Sequence, residues 1–234
     1  MKLSANLGLL WSELPLLERV YKAKEKNFDA VEFQFPYEVD ANELKKAIDK
    51  INLPIIGINT IKGDVSKGDN GLNAIPSKVQ EARVAIDQAI EYAKVIGSKN
   101  IHFMCGITEQ NHNSLKTLVE NLQYAVSQLN DTNIGLVIEP KNQKDFPGYF
   151  LTNVEQAKEI CQLVGNNNVK IMFDFYHVQI SQGNVLTRFK DNFNFIGHVQ
   201  MASVPERNEP IFGELNYSNI CLLYTSPSPR DALT

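Results

Sequence analysis

Short apolar runs alternate with longer amphipathic stretches along the chain. Lys2 to Leu7 reads as a first strand, and Pro15 to Lys26 as an amphipathic helix with its proline near the first turn. Ala30 to Phe35 ("AVEFQF") is a second strand, and Asp40 with Glu43, in capping-box spacing, opens a helix running to about Ile51. Pro54 to Asn59 ("PIIGIN") is a third strand, followed from Thr60 to Pro76 by a loop rich in Gly, Asp and Asn. Ser77 and Gln80 form another box, opening a helix that Gly97 stops. Asn100 to Met104 is a fourth strand, Ser114 to Leu129 a helix, and Gly135 to Ile138 a fifth strand. Thr152 and Glu155 open the next helix, which Gly165 ends. Val169 to Phe175 is a sixth strand, Val185 to Phe193 a weak helix, and Phe195 to Ala202 a seventh strand.

Such alternation predicts a parallel sheet, and its short, continuously apolar strands are of the kind covered on both faces. An open doubly wound sheet usually carries a glycine-rich turn after its first strand. The corresponding "ANLGLLW", residues 5–11, has no such turn, so the pattern predicts a (β/α)8 barrel with strand eight missing. In that strand's place stands "CLLYTSPSPRDALT", where Pro227 and Pro229 alternate with serines and the segment reads as coil. The expectation is an incomplete barrel domain over residues 1–220 and a non-native tail over 221–234, resembling translated adapter sequence. A chain of that kind is expected to be inactive and poorly soluble, because unpaired sheet edges invite aggregation.

The chain has 234 residues, 43% of them hydrophobic, enough for one sizeable core. A net charge of -4 with both signs interspersed provides no basic stripe and argues against a nucleic-acid partner. Cys105, Cys161 and Cys221 form no CxxC pair, which suits a reducing compartment and argues against a disulfide framework or a thiolate zinc site. At the N-terminus Ser4 and Asn6 interrupt the apolar region and Glu13 follows closely, unlike a signal peptide. With no run long enough to span a bilayer, the expectation is a cytoplasmic soluble protein without a membrane partner; an oligomer is compatible with the sequence.

In parallel barrels the active site lies at the C-terminal ends of the strands. Those ends carry Asn6, Glu32, Gln34, Asn59, His102, Glu139, Asp174, His177, His198 and Gln200. Glu139 stands out because an apolar run leads straight into it and Pro140 then stops the strand. A buried carboxylate needs a partner. Glu139, Asp174 and Gln200 each offer a hard oxygen, a set that suits Mg²⁺ or Mn²⁺ better than zinc. Each also has a structural alternative: a Glu139–Lys170 ion pair, a loop or N-cap bond at Asp174, a satisfied amide at Gln200. His177 and Asn59 are the substrate-binding candidates, with a packed loop histidine as the alternative for His177. His102 and His198 read as core histidines, and Glu32 as pairing a neighbouring strand end or holding substrate.

The order "IEPKN … FDFYH … GHVQMA" resembles the hydroxypyruvate isomerase family within the xylose-isomerase-like barrels. Similar stretches include "SANLGLLWSE", "AVEFQFPY", "KGDVSKGDNGLNAIP", "TLVENLQYA", "IEPKNQKDFPGYFLT" and "PERNEPIFGELNY", reaching to about Ile220. The resemblance implies interconversion of hydroxypyruvate and tartronate semialdehyde through an enediolate. It matches Glu139 to one of two acid/base glutamates, Asp174 and Gln200 to metal-site positions, and His177 to a histidine of the substrate pocket. The second glutamate would lie on strand eight, where this sequence departs from the family. Burial is expected to raise the Glu139 pKa toward the working pH, and a divalent ion to stabilise the enediolate. Alternatives are an isomerase of another small keto or sugar acid (2-oxo-tetronate type), a metal-dependent barrel hydrolase, and an inert fragment. Four histidines and a charge of -4 argue against the hydrolase.

Overall fold

Each apolar run becomes a strand, trimmed at its ends. A computed structural model, describing residues 2–225, places β1 at Ser4–Asn6, β2 at Ala30–Glu32, β3 at Ile55–Asn59 and β4 at Asn100–His102. Next come β5 at Gly135–Ile138, β6 at Val169–Asp174 and β7 at Ile196–Gln200. These seven strands form one sheet in chain order, and every pairing is parallel. The sheet must curl strongly, because His198 Nε2 on β7 lies 2.8 Å from Glu32 Oε2 on β2. In a flat sheet those strands, five steps apart, would stand roughly 24 Å from each other at about 4.8 Å per step. An eighth strand is not found among the described residues, where β1 pairs with β2 and β7 with β6.

The crossover helices are α1 (Leu16–Glu25), α2 (Ala41–Ile51), α3 (Val79–Ile96), α4 (His112–Gln128) and α5 (Val154–Val164). Their ends follow local chemistry. Asp40 accepts from the N–H groups of Asn42 and Glu43 to open α2, and Gly97 and Gly165 close α3 and α5 in the left-handed region. Two caps differ from the sequence reading. Ser77 lies inside a 3₁₀ turn, Pro76–Lys78, and α3 starts without a side-chain cap, the fixed φ of Pro76 having begun the turn earlier. The cap of α5 is Asn153 rather than Thr152. Asn153 accepts from Gln156 N–H while Gln156 Oε1 takes the Thr152 N–H, a reciprocal box one residue further on.

After β6 the chain turns at once into α6 (Phe175–Ser181), because Asp174 Oδ1 accepts from Tyr176 N–H at 2.9 Å. Helix α7 (Val185–Asp191) and then β7 follow. The loop after β3 folds back onto the chain beyond β4, where Gly71 pairs with Cys105. Gly71 has φ +110°, and a Cβ there would meet the Met104 carbonyl oxygen at 2.4 Å, so only glycine fits. Helix α8, Tyr217–Thr225, corrects the coil expected from Cys221 as far as residue 225. Asn216 Oδ1 accepts from Asn219 N–H at its start, and Ile220 is buried against the core, which explains the helix. The remainder of the expected tail, 226–234, lies outside the described residues. No helix among those described is long and apolar enough to cross a membrane.

Candidate active site

Glu139 follows the last residue of β5 and is 4% exposed. Beyond Pro140 the loop folds over it: Lys141 N–H donates to the Leu151 carbonyl, and the Asn142 side chain accepts from Asp145 N–H and donates to Asp145 Oδ2. The loop thereby brings Lys141 and Phe146 to a cleft of about 690 Å³, also lined by Glu32, Asn59, His102, Glu139, His198, Gln200 and Arg207.

Lys170, the partner in the structural alternative for Glu139, is elsewhere; its ammonium donates to the Asn194 carbonyl. Lys141 takes the role, with Nζ 3.4 Å from Glu139 Oε2. His102 Nε2 stands 3.7 Å from the same oxygen, and His177 Nε2 3.8 Å from Oε1. The expected upward pKa shift is also corrected. Burial pushes Glu139 up, but the charges of Lys141, His177, His102 and Arg207 outweigh it and hold the carboxyl at about 2. Glu139 is therefore an ionised carboxylate whose charge is balanced by neighbouring donors.

Asp174 serves two masters. Oδ1 caps α6, while Oδ2 lies 3.7 Å from His177 Nε2 and 3.4 Å from Arg207 Nη2. Burial raises its pKa, and the charge of Glu139 adds to the rise, against His177 and Arg207. His177 is fully buried, and burial lowers its pKa. Its Nδ1 faces the Asn142 side-chain amide nitrogen at 2.7 Å and the Asn142 backbone N–H at 3.3 Å. The Asn142 amide is oriented by its bonds to Asp145, so Nδ1 accepts and the proton of the neutral ring sits on Nε2. Arg207 Nη2 lies 3.1 Å from that Nε2.

On the opposite wall, Glu32 accepts from Gln200 Nε2 at 2.9 Å and lies 2.8 Å from His198 Nε2. With its nitrogen tied to Glu32, Gln200 keeps its carbonyl oxygen as the free end of the amide. Asn59 lines the cleft; its side-chain nitrogen is 3.9 Å from Met104 Sδ, and its backbone carbonyl accepts from the Tyr37 hydroxyl.

The tightest donor set is Glu139, Asp174 and His177, whose ligand atoms lie within 4.8 Å of one another. Gln200 pairs with Asp174 in the β6–β7 register and faces the same cleft as Glu139. Two buried carboxylates, one of them with no hydrogen bond shorter than its 3.4 Å ion pair, fit a hard divalent ion. Sequence reasoning missed Lys141 and Arg207. A charged loop residue reads as solvated, and the one available signal for Lys141 was its place two residues after the strand-end glutamate.

The chain is similar to known proteins over most of its length. A sequence model described as xylose isomerase-like TIM barrel matches residues 20–221. The chain is 40% identical over 219 residues to a 2-oxo-tetronate isomerase of Cupriavidus necator, a match covering 92% of this chain and 84% of that protein. It is 40% identical over 223 residues to the hydroxypyruvate isomerase of Escherichia coli, covering 93% and 85%. A solved Brucella melitensis structure, described as an AP endonuclease of family 2, superposes with TM-score 0.91 at 36% identity, covering 94% of this chain and 87% of that one. A D-psicose 3-epimerase from Clostridium cellulolyticum, with TM-score 0.74, 16% identity and coverage of 90% and 78%, shares the fold.

Proposed function

The chain belongs to the xylose isomerase-like TIM barrel family, and on that premise we propose that it isomerises a small hydroxy keto acid of the hydroxypyruvate or 2-oxo-tetronate type through an enediolate. The observation that carries this reading is Glu139: buried, ionised and facing a cleft at the end of a parallel strand. Its relatives at 40% identity are named for these reactions.

Glu139 takes the proton from the hydroxyl-bearing carbon; return of a proton to the former carbonyl carbon, with passage of the hydroxyl proton to the former carbonyl oxygen, completes the exchange. The Nε2–H of His177 and the guanidinium of Arg207 face one another at 3.1 Å, and both are donors. An oxygen of the substrate set beside this pair, within hydrogen-bond reach of both, accepts from both and carries the charge of the enediolate. Glu139, Asp174 and the Gln200 carbonyl oxygen would hold a divalent cation, Mg²⁺ or Mn²⁺, which when bound supplies further positive charge to the substrate oxygens. Lys141, beside Glu139, lies 4.6 and 5.1 Å from the Phe146 and Tyr149 rings.

A metal-dependent hydrolase is the weaker reading. The tight donor set among the described residues contains a single histidine, where such a hydrolase would want several. The test is to incubate the protein with Mg²⁺ and either hydroxypyruvate or 2-oxo-tetronate and follow both compounds by NMR. Conversion of one of them to its isomer is expected; conversion of neither would remove the proposal.

A further inference from the structure

We infer that Lys141 is the anchor for the carboxylate of the substrate, an inference that rests on the keto-acid reading of this site. Its side chain is 9% exposed, although a lysine ammonium is strongly hydrated and rarely buried without full pairing. The ammonium carries three donors. Around it stand Glu139 Oε2 at 3.4 Å and the Met104 sulfur, a weak acceptor, at 3.8 Å. The Phe146 and Tyr149 rings lie 4.6 and 5.1 Å from Nζ; they attract the charge without accepting its hydrogen bonds in full. At least one donor is thus left for an acceptor in the cleft, which Lys141 lines.

The geometry also fits the reaction. In a 2-keto acid the carboxylate adjoins the carbonyl carbon, and the hydroxyl-bearing carbon adjoins that, each step about 1.5 Å. A ligand of this length reaches Lys141 with its carboxylate while presenting its C–H to Glu139, the two protein groups being 3.4 Å apart. Lys141 then separates acids from neutral sugars. An acid offers the oxygens its donors lack, whereas a neutral hydroxymethyl in the same place accepts more weakly.

Calorimetry with glycerate, an unreactive three-carbon hydroxy acid, and dihydroxyacetone, a neutral analogue of hydroxypyruvate, tests this in the presence of Mg²⁺. Lys141→Met, which keeps the length and the packing against the rings, is expected to weaken glycerate binding about tenfold or more, the scale of a lost hydrogen bond to a charged group. Dihydroxyacetone should lose about threefold or less, and Lys141→Arg should recover part of the glycerate affinity. Equal losses for both ligands, or no loss for glycerate, would overturn the inference. If Lys141→Met fails to fold, the wild type labelled with ¹⁵N at the lysine side chains decides. The Lys141 ammonium signal should move with glycerate and stay with dihydroxyacetone, and the reverse, or no movement, refutes the anchor. A wild type that binds glycerate through Lys141 yet isomerises nothing would support the anchor and overturn the proposed reaction.

Discussion

At the scale of single residues, the site is built from charges that burial would otherwise neutralise. Two histidines show the balance from opposite sides. Burial pushes His102 down to about 4, the nearby Glu139 charge being too weak to restore it. For His198 burial also works against the charge, but the charge and hydrogen bond of Glu32 prevail and raise its pKa above 6.5. As pH falls from 6.5 toward 4, the unfolded chain binds a proton at His102 that the folded chain refuses, so stability is lost over that window. His198 acts the other way. Its contribution is complete below 6.5 and fades as pH rises through its raised folded value. An NMR titration of the imidazole ring protons should give a midpoint near 4 for His102 and one above 6.5 for His198. Midpoints near 6.5 for both would contradict this picture of the site.

At the scale of elements, the cleft depends on β2 and β7 meeting across the interior through Glu32, His198 and Gln200. Removing one acceptor from this group strands a buried donor, at a cost of about 1–3 kcal/mol. Glu32→Gln is therefore expected to lower stability by about that amount in urea denaturation. It should also weaken Mn²⁺ binding several-fold, because the Gln200 amide is freed to turn its nitrogen toward the cation. Unchanged stability and unchanged Mn²⁺ affinity would reduce Glu32 to an ordinary strand residue. This contact was only half legible in the sequence, which marked Glu32 as pairing a strand-end group or holding substrate and gave no partner across five strands. Glu139 itself was legible, since an apolar run ending in Glu-Pro has few other uses. The caps at Asp40, Gly97 and Gly165 were equally plain. Helix α6 was not, because "FDFYH" continues the apolar pattern of β6, and the turn is made by a hydrogen bond from Tyr176 N–H to Asp174 Oδ1.

For the whole molecule, curling seven parallel strands brings Glu139 after β5 and Met172 of β6 to the same cleft as β2 and β7. The fold class was readable because regular strand–helix alternation without a glycine-rich first turn favours a barrel over an open sheet. The charge of the site was not readable in the same way. A chain with net charge -4 carries Lys62, Lys141 and Arg207 at its cleft, and only the fold brings those distant cations together. In the proposed reaction Glu139 is the group that moves the proton. The most direct measurement is solvent deuterium incorporation into hydroxypyruvate, in D₂O with Mg²⁺, for the wild type and Glu139→Gln. Glutamine keeps the shape of the side chain and removes the titrating oxygen, so circular dichroism should stay native while exchange slows by about 10² or more. Exchange at near-normal rate in a folded Glu139→Gln variant would contradict the assignment of the base.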